Sequence, residues 1–254
     1  MKRIRETIEA GSSILVREYD LVSYGKRAGE PRKAKENPSP LSKVRANYRE
    51  AVRKLTALMN ENCRDGDWHL VFTYNTDSRP SDPQAAKKDF LRKMIPEIRK
   101  LYAKHGVELS YYFYRCEVGK RGGIHHHLVV PVINPVLFRR VWTLDVGNVH
   151  YSPLYSGEYS ALAAYFLKSD NPDDPVHYNP QPGRKWSMAQ NVKRPKPAKK
   201  KELHGSWERK DPYIPKGYIL QADSYYIGEN PFTHRIYRSY IVFKPQNSGG
   251  GKNE

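Results

Sequence analysis

The sequence predicts an α+β protein with a β-α-β-β-α-β core on a central antiparallel sheet, and three observations carry that prediction. Trp68–Tyr74 alternates at the period of a strand. Phe90, Met94, Ile98 and Leu101 recur at helical spacing behind the helix start Asp82-Pro83. Val107–Val118 and Ile124–Val130 are strand-like runs joined by a turn over Gly119–Gly123.

The elements follow in order. Residues 1–39 carry charge and proline with one short apolar run at Ile14–Val16, and read as an arm. Ser39-Pro40 reads as an N-cap followed by proline at the first helical position. Val44, Tyr48, Val52, Leu55 and Met59 then give an amphipathic packing helix, completing an N-terminal unit over residues 1–62. Residues 63–212 form the core with a basic segment. In it Trp68, Leu70, Phe72 and Tyr74 share one strand face, and Pro96 predicts a kink. Asn134-Pro135 starts a short helix through Trp142, and Val146–Tyr151 is the fourth strand. Ser156 caps a last helix from about Gly157 to Lys168.

This order is the split βαβ, ferredoxin-like or RRM-like arrangement. Its first and third strands are central, and both crossover helices cover one face, leaving the other for a ligand. Residues 170–212 are rich in Pro, Lys and Arg, densest over Lys193–Lys201. Residues 213–245, with the alternating Arg235–Phe243, form a β-hairpin appendage, and residues 246–254 a disordered tail.

With 44 Lys and Arg against 27 Asp and Glu, the net charge of +17 selects polyanionic partners. The 19 tyrosines suit both sheet surfaces and stacking on unpaired bases. Cys63 and Cys116 are isolated, which excludes a cysteine zinc site or a disulfide framework. No apolar run reaches membrane-spanning length, and the opening Met-Lys-Arg-Ile-Arg lacks the apolar region of a secretory signal. The expectation is a cytoplasmic protein with no membrane partner.

Gly122-Gly123-Ile124-His125-His126-His127-Leu128 is the most informative stretch. Strand alternation points His125 and His127 to one face, and His126 to the other with Ile124 and Leu128. Pairing Glu117 opposite His125 preserves that parity. Two imidazoles and a carboxylate then suit a labile divalent ion, Mn²⁺ or Mg²⁺. His126 is left to packing or support of the metal ligands. An RRM would carry stacking aromatics on this strand, but Gly123, His125 and Leu128 hold those positions. Farther on, Tyr165 and Lys168 lie three apart on the last predicted helix, sharing a face. A phenol needs activation to attack phosphorus, and an ammonium beside it lowers the cost of the phenolate.

Together these pieces resemble the replication-initiator branch of the HUH endonuclease superfamily, as found in small phages, plasmids and integrative elements. Trp68-His69-Leu70-Val71-Phe72-Thr73-Tyr74 stands where the first family motif would be, and Glu117 with Gly122–His127 matches the metal motif. Trp142 through Gly147-Asn148-Val149-His150 matches the stretch leading to the tyrosine helix. Lys185-Trp186-Ser187 and Lys193-Arg194-Pro195 look like the basic segment after it. The match spans roughly residues 64–200, and the order and spacing of the motifs carry it.

The resemblance implies a single-tyrosine nickase that acts on single-stranded DNA or an origin hairpin. Tyr165 is the nucleophile, leaving a 5′-phosphotyrosyl link and a free 3′-OH primer, and Lys168 is its helper. His125, His127 and Glu117 bind the metal, and Lys185, Trp186, Lys193, Arg194 and Lys196 contact DNA. The middle position of the motif is usually hydrophobic and is His126 here. Two-tyrosine relatives carry a second tyrosine where this chain has Ala161, and Tyr159 sits about 120° around the helix. No phosphate-binding Gly-rich loop occurs, so a helicase would be a separate partner. A homodimer, a transposase of the same superfamily and a non-catalytic origin- or RNA-binding protein remain open.

Overall fold

A computed structural model describes residues 2–21, 40–119, 122–155, 157–204, 211–230 and 233–245. The first elements are β1 (Lys2–Ala10), β2 (Ser13–Leu21), α1 (Leu41–Asn62), β3 (Trp68–Tyr74), α2 (Pro83–Asp89), α3 (Ile95–Lys104) and β4 (Phe113–Val118). There follow β5 (Ile124–Val130), β6 (Gly147–Pro153), α4 (Ser160–Phe166), β7 (Ser187–Met188), β8 (Lys199–Leu203), β9 (Ile219–Glu229) and β10 (Ile236–Phe243). The fold is α+β, with two antiparallel sheets and four α-helices among the described residues.

Residues 2–21 do not form an arm, and residues 22–39 lie outside the described residues. β1 and β2 pair with Arg3 opposite Asp20, Arg5 opposite Glu18 and Glu6 opposite Arg17, so the charges that suggested an arm meet across the ladder. Arg5 Nε lies 2.5 Å from Glu18 Oε1, and Arg3 Nε 3.1 Å from Asp20 Oδ1. This hairpin is the middle of a sheet ordered β8-β1-β2-β10-β9. The expected hairpin forms between β9 and β10, and β10 pairs with β2, so it joins the sheet of the N-terminal hairpin. The basic run supplies its β8 edge. Residues 246–254 lie outside the described residues.

The other sheet is ordered β6-β3-β5-β4-β7, with β3 and β5 inside. Leu70, Phe72, Tyr114, Leu128 and Val130 point from one face into a buried core beneath α2 and α3. Pro96 lies in the first turn of α3. It has no N–H to give, and the chain approaches it through a π-helical turn, Phe90–Met94, in place of a simple kink. The second crossover is a 3-10 turn, Pro135–Arg140, capped by the Asn134 side chain, and not an α-helix. The predicted strand from Val107 forms only from Phe113.

The opposite face is not left open. Phe113 and Val129 are fully buried there, covered by Leu55, Leu58 and Met59 of α1 and by Ala163 and Phe166 of α4. Each such large side chain contributes roughly 1.5–3 kcal/mol on burial, so this apolar end of the face demands a lid. The helix cap falls one residue later than expected. Pro40 is the N-cap, its carbonyl accepting from the Lys43 and Val44 N–H groups, and Ser39 lies outside the described residues. Ser156 is outside them too. α4 starts at Ser160, with Tyr159 N–H donating to Asn60 Oδ1 at 2.8 Å.

α1 also carries the first sheet, through Ala57 against Ala10, Leu15 and Ile241. Gly11 makes that approach possible. Its φ is +56°, and a Cβ there would lie 2.0 Å from the Asn60 carbonyl oxygen. No helix among the described residues is long and apolar enough to cross a membrane.

His126 is buried on the α2–α3 face, each ring nitrogen 2.9 Å from a hydroxyl, those of Tyr74 and Tyr114. Burial, and then His127 and His125, lower its pKa from 6.5 to about 3. The unfolded chain takes up a proton there below its ordinary value and the folded chain does not, so stability falls as pH drops through 6.5 toward 3. Between pH 7 and pH 5 the wild type should lose about 2 kcal/mol more than His126→Gln in urea unfolding, near 1.4 kcal/mol per unit. Equal losses would mean that the folded imidazole protonates freely.

Candidate active site

Register assembles the site. His125 pairs with Thr73 on one side and Glu117 on the other, while His127 pairs with Val71 and Arg115. Directly opposed side chains share a face. Glu117, His125, His127, Arg115 and His69 therefore project on the side of α1 and α4, at its polar end, and all but the half-buried His125 are buried.

Glu117 is 7% exposed. Its Oε2 lies 3.1 Å from His127 Nε2 and 3.2 Å from Lys168 Nζ, but neither nitrogen is aligned to hydrogen-bond it. Burial pushes the carboxyl up, and His127 with the Lys168 ammonium outweighs burial and holds it at about 2. Burial also lowers the His127 imidazole against the pull of Glu117, so the ring is a neutral base near pH 7.

His69 belongs to this cluster and is absent from the site expected from sequence. Its Nε2 lies 3.2 Å from His127 Nδ1, with the rings stacked at 5.4 Å. Burial, then His127 and Lys168, lower its pKa to about 3. Strand alternation held the signal, since His69 falls on the face away from Trp68, Leu70 and Phe72, beside Thr73.

Tyr165 is 46% exposed and stands edge-on to both rings, 5.8 Å from His69 and 5.8 Å from His127. Lys168 Nζ is 3.9 Å from the Tyr165 ring centroid, so this ammonium spans the distance between Glu117 and the tyrosine. The two residues do not share one helix, because α4 ends at Phe166 and Lys168 opens a 3-10 turn. Arg115 anchors that turn from β4: Nη1 lies 2.7 Å from Asp170 Oδ2 and Nη2 2.5 Å from Ser169 Oγ, with both charged side chains 4% exposed. Tyr159 is buried elsewhere, its hydroxyl donating to Asp65 Oδ1 at 3.1 Å.

The remaining expected site residues divide. Among the described residues His125 shares the face without a hydrogen bond or ring contact, and His126 faces the other way. Among the described residues no three His, Cys, Asp or Glu side chains meet as a ready-made metal shell. The orphaned Glu117 Oε2 beside a neutral imidazole nitrogen nonetheless suits a hard divalent cation by donor chemistry. Of the expected DNA contacts, Lys185 pairs with Asp170 at 3.4 Å and Trp186 packs on the α1–α4 core. Lys193 is exposed and bonded through its backbone to Asn62, and Arg194 is exposed near Met188. Lys196 and Lys199 both pair with Glu9, at 2.8 and 2.6 Å, so part of the basic run is already matched by β1.

No family model matches the chain, and neither a curated protein nor a solved structure matches it.

Removing Arg115 would leave the buried Asp170 only its longer contact with Lys185, at 3.4 Å, and free the turn that carries Lys168. Arg115→Met should cost roughly 3–5 kcal/mol in urea unfolding, the usual penalty for breaking a buried ion pair from one side. A loss below about 1 kcal/mol would show that the pair does not anchor this turn.

Proposed function

We propose that this protein is a metal-dependent nickase of single-stranded DNA in the manner of HUH replication initiators, with Tyr165 as nucleophile. The observation that carries the reading is one half-exposed tyrosine standing against a His69–His127–Glu117 cluster through a shared lysine. The strand order β6-β3-β5-β4 supports a ferredoxin-like reading of the core.

In this mechanism the Tyr165 oxygen attacks the scissile phosphorus as the phenol gives up its proton. The P–O3′ bond breaks, the 3′ oxygen takes a proton, and the 5′ end stays on the tyrosine. Lys168 stabilises charge on the phenolate and the phosphoryl oxygens. Glu117 and His127, with His125 from the same face, would hold a Mn²⁺ or Mg²⁺ that polarises the phosphate when bound. A hydrogen bond between His69 Nε2 and His127 Nδ1, 3.2 Å apart, would fix the ring of His127 beside Glu117, and His69 so acts as a positioning residue.

Incubation of labelled single-stranded DNA with Mn²⁺, followed by denaturing electrophoresis, tests this. Tyr165→Phe should fold and bind DNA as wild type but form no adduct, while Tyr159→Phe forms it normally. Lys168→Ala should slow adduct formation by about 10²-fold without abolishing it. An adduct that survives Tyr165→Phe, or none from the wild type, would end the proposal. In the second case the chain is a basic binding module.

His69→Ala should weaken Mn²⁺ binding, measured by titration calorimetry, by about 10–100-fold. Unchanged affinity would remove His69 from its assigned role.

A further inference from the structure

Between α1 and the sheet that joins the chain's ends lies a cavity of about 820 Å³ that the nicking chemistry does not use. That is within the usual range for ligand sites. Its α1 wall carries Arg49, Arg53 and Thr56, and β2 adds Arg17. The Nε of each of these three arginines and Thr56 Oγ1 are buried without a hydrogen-bond partner. Thr56 is itself 1% exposed. Four buried donors without acceptors, all on residues that line one cavity, suit an acceptor-rich ligand there.

The charges narrow its chemistry. Among the lining carboxylates, Glu50 is taken by Arg17 at 2.5 Å and Asp20 by Arg3 at 3.1 Å, and Asp223 is exposed. Arg53 pairs with Glu6 at 3.2 Å. Among the described residues Arg49 has no carboxylate partner. Its guanidinium carbon lies 4.6 Å from the ring centroid of Tyr226, a β9 residue that also lines the cavity. A guanidinium beside an aromatic face suits a phosphate attached to a stackable base better than an acidic peptide.

Position ties this space to the nucleophile. Ala161 and Ala164 of α4 line the cavity, and Ala161 lies one turn before Tyr165 on the same exposed stripe of the helix.

We infer that this cavity holds a nucleotide of the single strand next to the bond that Tyr165 cuts, Arg49 taking its phosphate and Tyr226 its base. The inference rests on the nicking reading and adds a second contact surface to it, formed by the first sheet. Among the described residues Arg49 makes no ion pair, so Arg49→Gln removes its charge without breaking one.

The test uses the full chain carrying Tyr165→Phe and a fluorescent oligothymidylate containing 5-iodo-deoxyuridine, followed by anisotropy and photocrosslinking. Arg49→Gln and Tyr226→Leu should each weaken binding by about tenfold. The wild-type cavity should crosslink through the peptide bearing Tyr226. In chains that keep Tyr165, the same substitutions should raise KM for cleavage and leave kcat unchanged.

Wild-type affinity in both variants with crosslinks elsewhere would overturn the cavity assignment, even if the Tyr165 adduct forms normally. Crosslinking at Tyr226 without any adduct would uphold the groove and sink the nickase reading. A chain that binds no oligothymidylate overturns both. Titration with thymidine monophosphate and with inorganic phosphate separates sources. Saturation by either with no competition from the oligonucleotide would assign the cavity to a free anion and overturn the strand.

Discussion

Glu117 sets the terms for the rest of the candidate site. A carboxylate only 7% exposed is expensive to keep ionised unless positive or donor groups stand against it. Two do, His127 from the neighbouring strand and Lys168 from the turn after α4. The strand contact follows from the β4–β5 register. The turn contact depends on Arg115 holding Asp170 and Ser169 against the same sheet. One β4 strand thus supplies both the buried carboxylate and the arginine that fixes its lysine partner, two residues apart on one face.

Tyr165 inherits its place from this arrangement. α4 rests on the apolar end of the sheet through Ala163 and Phe166, and its start is clamped by Asn60 of α1. A short helix fixed at both ends has little freedom, which matters for a reaction that depends on holding an oxygen in line with phosphorus. The histidine rings beside the tyrosine are held near their neutral form by burial and remain available as hydrogen-bonding and donor groups around neutral pH.

α1 is shared between the two sheets. Leu55, Leu58 and Met59 face the histidine sheet, while Ala57 meets the other. The small residue on that side, with Gly11, lets the hairpin approach closely at one end. Farther up the helix Arg53 pairs with Glu6 of β1, and Arg49 and Arg53 line the cavity between helix and sheet. The same helix thereby joins the tyrosine's support to a lined space of different chemistry.

The α+β class was legible from residues alone, as were the central strands, because side-chain alternation is a local property of an extended backbone. That alternation also assigned His125 and His127 to one face and His126 to the other. Residues 2–21 were misread because charge usually means solvent. Their pairing partners lie across a hairpin and in β8 and β10, some two hundred residues away. Tertiary structure alone decided that His69 stacks on His127, that Lys168 reaches Glu117 from a 3-10 turn, and that lysines of the basic run are matched by Glu9. Each is a contact between residues far apart in the chain. Such contacts depend on register and on how helices close over a sheet, and no local pattern encodes either.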